Sequence, residues 1–312
     1  MGLTDAQRRE RRGYLGASDA AAVVGLDPYR GPLDVYLEKT GQLIEEDLSS
    51  SNHAVELGMY IEPALLAWCS AQLGGVPIRL EESLVHPNGW QLANLDGLSL
   101  HSDPPCIVEA KTAGLLGTGA SADEWGEAGT DAIPARYLLQ IHHQFAVVNG
   151  TGGGDDFPRI EWAVVPALLA RRGFVLFRVM RDPDLEAVLC EAEARFWQDH
   201  VLTRTAPEDG PPPSLETLKR RLRVPEKAVP IDPALVTAYL TARDARLAAD
   251  AAEETEKAHL LCALEDAEAG DAGTHRVTYL EQTRKSYVVA ASTSRVLRVK
   301  DLTPKPKKEN AR

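Results

Sequence analysis

The sequence predicts an α/β protein with a helix-and-strand appendage on its C-terminal side, and three observations predict it. Short strand-like runs alternate with amphipathic helical patterns through residues 1–204. A proline-rich break, TAPEDGPPPS, falls at residues 205–214. A long alanine-rich helical pattern, from about Asp232 to Glu268, follows, with strand-like runs beyond it.

The elements follow in order. Residues 4–12 read as a short polar helix. Ser18 or Asp19 is placed to cap a small-residue helix, Ala20–Val24, which Gly25 stops. Pro32 opens a helix, Leu33–Thr40, that ends at Gly41. Residues 52–73 are helical in pattern, with Pro63 expected to kink the helix or start a new first turn. Residues 76–85 and 90–100 alternate like strands, and Asp96-Gly97 sits where a hairpin would turn. CIVEAK, residues 106–111, is a short strand, and residues 114–134 are rich in small residues and read as a flexible loop. Tyr137–Val148 carries Leu138, Ile141, Phe145 and Val148 on one helical face. Ile160–Val165 and Gly173–Val179 read as a strand pair, and Asp184–Val201 as a helix. Beyond the break come a short basic helix, Leu215–Leu222, the long helix, and strand-like runs at His275–Gln282 and Ser286–Val299. The expected organisation is a core over 1–204, a linker with the basic helix over 205–225, an appendage over 226–303 and a basic tail over 304–312.

Composition narrows the function classes. The 312 residues are 44% hydrophobic and 26% charged, which suits a soluble protein with a sizeable core. No run approaches the roughly 20 apolar residues that span a bilayer. The opening MGLTDAQRRERR lacks an apolar signal core, so no membrane association and a cytoplasmic location are expected. Four cysteines, far apart and without a CxxC pair, argue against structural zinc or iron–sulfur and for buried free thiols. A net charge of −12 opposes simple coating of nucleic acid. Both ends are basic, however: Arg8, Arg9, Arg11 and Arg12 at one, Arg295, Arg298, Lys300 and Lys305 at the other. An acidic chain with basic ends can still grip phosphate locally.

Asp96, Glu109 and Lys111 carry the chemistry. In a strand, residues i and i+2 face one side, so Glu109 and Lys111 point together and a turn aspartate can approach them. Two carboxylates and the Ala110 carbonyl supply the oxygen ligands that Mg²⁺ prefers. Lys111 can then hold or deprotonate a water and stabilise charge on phosphorus. The same triplet also fits a solvated strand face beside an incidental turn aspartate. Glu62 lies one turn from Met59 and Leu66 on a helix face that otherwise looks apolar, where a carboxylate needs a cation. Gln140 shares a polar helix face with Tyr137 and Gln144. His142 and His143 point about 100° apart and cannot readily share one ion; they read as polar residues lining or flanking the cleft. Gly152–Gly154 lacks a following Lys-Ser/Thr and is no phosphate-binding P-loop.

Five segments in one order resemble the YqaJ/lambda-exonuclease family of the PD-(D/E)XK nuclease superfamily: RRGYLGASD, LGMYIEPALLAWC, LANLDGL, IVEAKTA and YLLQIHHQFAVV. The resemblance covers about residues 8–149. It implies a restriction-endonuclease-like core, a mixed central β-sheet flanked by helices. Mg²⁺, with Mn²⁺ as the alternative and a pair of ions in the site, would be bound by Asp96, Glu109, the Ala110 carbonyl and Glu62. Lys111 would position the attacking water, Gln140 would support the site, and Arg11, Ser18 and Tyr137 would hold DNA and its 5′-phosphate, with Arg12 competing for the role of Arg11. The implied reaction is metal-dependent hydrolysis of duplex DNA from its ends, 5′ to 3′, leaving 3′ overhangs for a single-strand annealing protein. A homo-oligomer, a ring-shaped trimer, and a bacterial or phage-infected host cytoplasm are implied in the same way. The alternatives are an endonuclease of the same superfamily and a non-catalytic recombination accessory protein.

Overall fold

The computed structural model describes residues 11–44, 53–78, 83–115, 121–151, 158–208, 210 and 212–283. In chain order the helices are α1 (Ala20–Val23), α2 (Pro32–Lys39), α3 (His53–Gln72), α4 (Ala135–Thr151), α5 (Pro183–Phe196), α6 (Leu215–Arg220) and α7 (Pro233–Leu264). The strands are β1 (Leu15–Gly16), β2 (Leu84–Val85), β3 (Gln91–Ala93), β4 (Gly97–Ser99), β5 (Cys106–Val108), β6 (Lys111–Ala113), β7 (Trp162–Leu169), β8 (Gly173–Met180), β9 (Ala269–Ala272) and β10 (His275–Thr278). The chain divides into two compact units, Met1–Arg223 and Val224–Arg312.

The first unit is built on a mixed five-stranded sheet. β7 is its spine: β5 and β6 run parallel to one edge, β8 antiparallel to the other, and β4 antiparallel to β5. WAVVPALL, the sequence of β7, is almost continuously apolar and buried, as a strand covered on both faces must be. Ile107 and Ala163 pack with Ile141, Phe145 and Val148 of α4 on one face. Val108 and Val164 pack with Cys69, Leu66 and Leu73 of α3 or its end on the other. The sheet is thus flanked by helices, the α/β arrangement the sequence indicates. A smaller sheet, β1-β3-β2, and a cluster of Leu15, Val35, Leu37, Phe196 and Trp197 close one side of the unit.

Several sequence expectations are corrected. Residues 90–100 are no hairpin: β3 pairs with β1 and β2, whereas β4 pairs with β5, so Asp96 lies where the chain crosses between sheets. CIVEAK is no continuous strand, because Glu109 and Ala110 interrupt the ladder between β5 and β6. The register nevertheless stays unbroken, with Val108 opposite Val164 and Lys111 opposite Ala167. Pro63 starts no new helix but sits inside α3. Within 121–134 the chain is anchored by buried Trp125 and Ile133 rather than forming a free loop. α5 ends at Phe196 and a π-type turn continues to Leu202. Asp19 does not cap α1 with its side chain; its buried carboxylate accepts instead from Gly16 N (3.1 Å) at the start of the preceding turn. Of the cysteines, Cys69 and Cys106 are buried, but Cys262 is exposed.

The proline-rich stretch packs on the first unit. Ser214 N donates to Asp34 Oδ1 (3.2 Å), Ile44 N to Arg220 O (2.7 Å) and Leu222 N to Gln42 O (2.8 Å). In the second unit α7 stops at Leu264, because Glu265 takes a positive φ of 52°. Residues 265–268, expected to be helical, form a turn instead, and β9 follows them to pair with β10 around Gly273. Most of residues 4–12 and all of Ser286–Val299 lie outside the described residues.

Candidate active site

The break between β5 and β6 builds the site. Glu109 N still donates to Val164 O (3.1 Å), but Ala110 N turns away from the ladder and donates to Asp96 Oδ2 (2.8 Å). That bond draws the crossover aspartate onto the strand that carries Glu109. Glu109 is 2% exposed and its carboxylate is fully engaged. Gln140 Nε2 donates to Oε1 (2.5 Å), Gln144 Nε2 donates to Oε2 (2.6 Å), and Lys111 Nζ closes on Oε1. Gln140 and Gln144 are one turn apart on α4, so a single helix face supplies both amides. Lys111 Nζ also lies 5.0 Å from the centroid of the Tyr137 ring, which Arg136 covers on Cζ at 4.6 Å.

Electrostatics mark the cluster as short of positive charge. Asp96 is pushed up to about 8, first by burial, then by Glu109, against the pull of Lys111, with Glu62 adding a smaller push. Lys111 is burdened by burial, yet Glu109 and Asp96 outweigh it and raise its value, so it stays an ammonium. Among the described residues, Asp96, Glu109 and Glu62 thus act on one another beside the Lys111 ammonium. That donor set fits a divalent cation, which satisfies both the excess negative charge and the oxygen-rich chemistry. Among the described residues, no group of three or more His, Cys, Asp or Glu side chains is gathered at ligating distance. Lys111 and the two glutamines fill the space around Glu109 instead.

The structure brings together Asp96, Glu109, Lys111, Gln140 and Tyr137, and places Glu62 within electrostatic reach. Ser18 is exposed in a 3-10 turn, Ala17–Asp19, and the Arg11 side chain lies outside the described residues. His142 and His143, expected to line or flank the cleft, are 2% and 0% exposed. They are core residues, because α4 turns that face onto α5 and β3. Gln144, placed by sequence reasoning on the polar face of Gln140 but given no role, also holds the Glu109 carboxylate; its one-turn spacing from Gln140 was the available signal.

A half-buried Asp where the chain crosses between sheets, a Glu-x-Lys at the break between β5 and β6 and two glutamines one turn apart on α4 define an enzyme-like site in an α/β fold. Residues 8–152, a little under half of the chain, match the model of the YqaJ-like viral recombinase domain. The "Uncharacterized protein YqaJ" of Bacillus subtilis (strain 168) is 30% identical over 225 residues, 72% of this chain. The chain spans 65% of the length of that relative. Among solved structures, an alkaline exonuclease (LHK-Exo) from Laribacter hongkongensis is similar at 17% identity and a TM-score of 0.47, over 65% of this chain and 94% of that one. A phage related exonuclease from Haemophilus somnus 129PT is similar at 12% identity and a TM-score of 0.41, over 61% and 96%.

Proposed function

We propose that the chain is a metal-dependent DNA exonuclease that hydrolyses phosphodiester bonds from duplex ends, 5′ to 3′. The carrying observation is the buried Glu109 carboxylate, held on both oxygens by Gln140, Gln144 and Lys111 beside Asp96. A purely structural segment has no need to gather carboxylates where burial, and then repulsion from Glu109, lift Asp96 to about 8.

Asp96, Glu109 and the Ala110 carbonyl would hold Mg²⁺ or Mn²⁺, which share octahedral oxygen coordination, with Glu62 contributing directly or through water. Such an ion, when bound, supplies a water of lowered pKa and charge stabilisation at phosphorus. The residues of the chain do the rest. Gln140 and Gln144 fix the Glu109 carboxylate in one orientation. Lys111, kept as an ammonium, donates to the water or to a phosphoryl oxygen and carries charge as the pentavalent centre forms. Water adds to phosphorus, the bond to the 3′-oxygen breaks, and that oxygen leaves with a proton. Arg11 and Ser18 would hold the terminal 5′-phosphate, and Tyr137 would line its path. A 3′ overhang, a single-strand annealing partner, a ring-shaped trimer and a cytoplasmic setting belong to the same proposal.

The test is a time course on linear duplex with Mg²⁺, labelled separately at each 5′ and 3′ end, beside a closed circle and an EDTA control. Early release of 5′-labelled mononucleotide from linear DNA alone is expected. Cutting of the circle would replace this reading with an endonuclease. Absence of metal-dependent cleavage would replace it with an accessory module. Arg11→Ala should slow 5′-phosphorylated ends more than 5′-hydroxyl ends; equal loss on both removes the end pocket.

A further inference from the structure

Behind the glutamine face of α4 lies a second buried polar cluster that the proposed chemistry does not use. His143 Nδ1 is 2.8 Å from Glu193 Oε1 on α5, and its Nε2 is 3.2 Å from the Leu92 carbonyl on β3. Gln91 Nε2 donates to the other glutamate oxygen at 2.6 Å. His143, Glu193 and Gln91 are 0%, 0% and 1% exposed. The partners dictate the protons. A carbonyl only accepts, so Nε2 carries a hydrogen. Nδ1 and Oε1 then share one proton between them, and, against burial, the negative charge of Glu193 and Asp19 favours its place on the ring.

The cluster joins the two halves of the site. His143 stands between Gln140 and Gln144 on α4, the helix that grips Glu109. Leu92 is on the strand that runs out toward Asp96. We propose that His143, as an imidazolium clamped between Glu193 and the Leu92 carbonyl, is a positioning residue that locks the Glu109-holding helix to the Asp96-bearing strand. This rests on the nuclease reading above. The charged groups facing His143 are Glu193 from α5 and Asp19 from the turn before α1. Asp19 is itself met by Lys39 at 2.7 Å and Arg30 at 3.1 Å. Burial works against the charge on His143, but Glu193, the Leu92 carbonyl and Asp19 together raise its value.

Two variants separate positioning from mere stability. His143→Leu alone leaves a buried glutamate short of a donor, so its melting temperature should fall. The double variant His143→Leu with Glu193→Gln removes both charges and leaves the new amide to pair with Gln91, so the melting temperature should largely recover. The Leu92 carbonyl still lacks its donor, so kcat on linear duplex DNA should stay about 10- to 100-fold down, with KM little changed. Recovery of kcat together with stability would overturn the proposal. Selective ¹⁵N labelling of histidines in the wild-type protein should show both ring nitrogens of His143 protonated at neutral pH, the signal being assigned by its loss in His143→Leu. A neutral ring would overturn it as well. Wild-type protein that cleaves no DNA would sink the nuclease reading instead, while the ring signal would still report the clamp.

Discussion

Glu109 is the residue on which the site turns, and each of its contacts can be removed separately. Asp96→Ala or Glu109→Ala should abolish cleavage while DNA binding survives, and retained turnover would remove the metal assignment. Lys111→Ala should lower the chemical step by about 10²- to 10³-fold with cation binding kept, the scale of losing one preorganised electrostatic partner. Gln144→Leu should cost about 1–3 kcal/mol, because it strands a buried carboxylate oxygen; urea denaturation reads that cost. The adjacent histidines titrate oppositely. Burial holds His142 below its ordinary value. Its unfolded form therefore binds the proton first, and stability is lost as pH falls through about 6.5 toward the folded value. His143 is raised, so its contribution is present below about 6.5 and lost as pH rises through the folded value. His142→Leu should therefore narrow the difference in melting temperature between pH 7 and pH 5; an unchanged difference counts against the assignment. The juxtaposition of Asp96, Glu109 and Lys111 was legible in the sequence because a turn aspartate can approach an i, i+2 pair that faces one side. Gln144 and Glu193 were not, since a polar residue on an amphipathic helix looks solvated until its neighbour is known.

At the level of elements, the site depends on a strand that breaks its ladder without losing register. Periodicity shows where strands run, but not which sheet they join, and so the chain around Asp96-Gly97 read as a hairpin. Gly97 instead starts β4 at a close approach: a Cβ there would collide with the Ile78 side chain and lie 3.5 Å from Val108 Cβ. Its backbone is not in the left-handed region, so the glycine is required by space rather than by conformation. Gly97→Ala should cost about 1–3 kcal/mol through overpacking. Because Asp96 is the adjacent residue, kcat should fall with it. A variant as stable and as active as wild type would show that α3 and the segment after it yield easily. Helices α2 to α4 were readable from proline starts and apolar stripes. The end of α7 was not, because Glu265 breaks it through a positive φ that glutamate seldom adopts.

For the whole molecule, composition suggested a core to 204, a linker with a basic helix over 205–225 and an appendage from 226, and the compact units divide between Arg223 and Val224. Proline and glycine report local backbone preference, while a unit is defined by what its chain packs against. Residues 214–222 return to the first unit, where Thr217 is buried and Leu43 forms a bridge with Arg221. A chain ending at 223 should therefore fold, keep the cleavage chemistry and melt within a few degrees of the first transition of the full chain. One ending at 204 loses the Ser214–Asp34, Ile44–Arg220 and Leu222–Gln42 bonds together. At roughly 0.5–1.5 kcal/mol per bond, that removes about 2–4 kcal/mol, a large share of an ordinary margin of stability. Urea titrations of both truncations measure the gap directly. Equal midpoints would return the boundary to residue 205, and loss of activity at 223 would make the second unit part of the working enzyme.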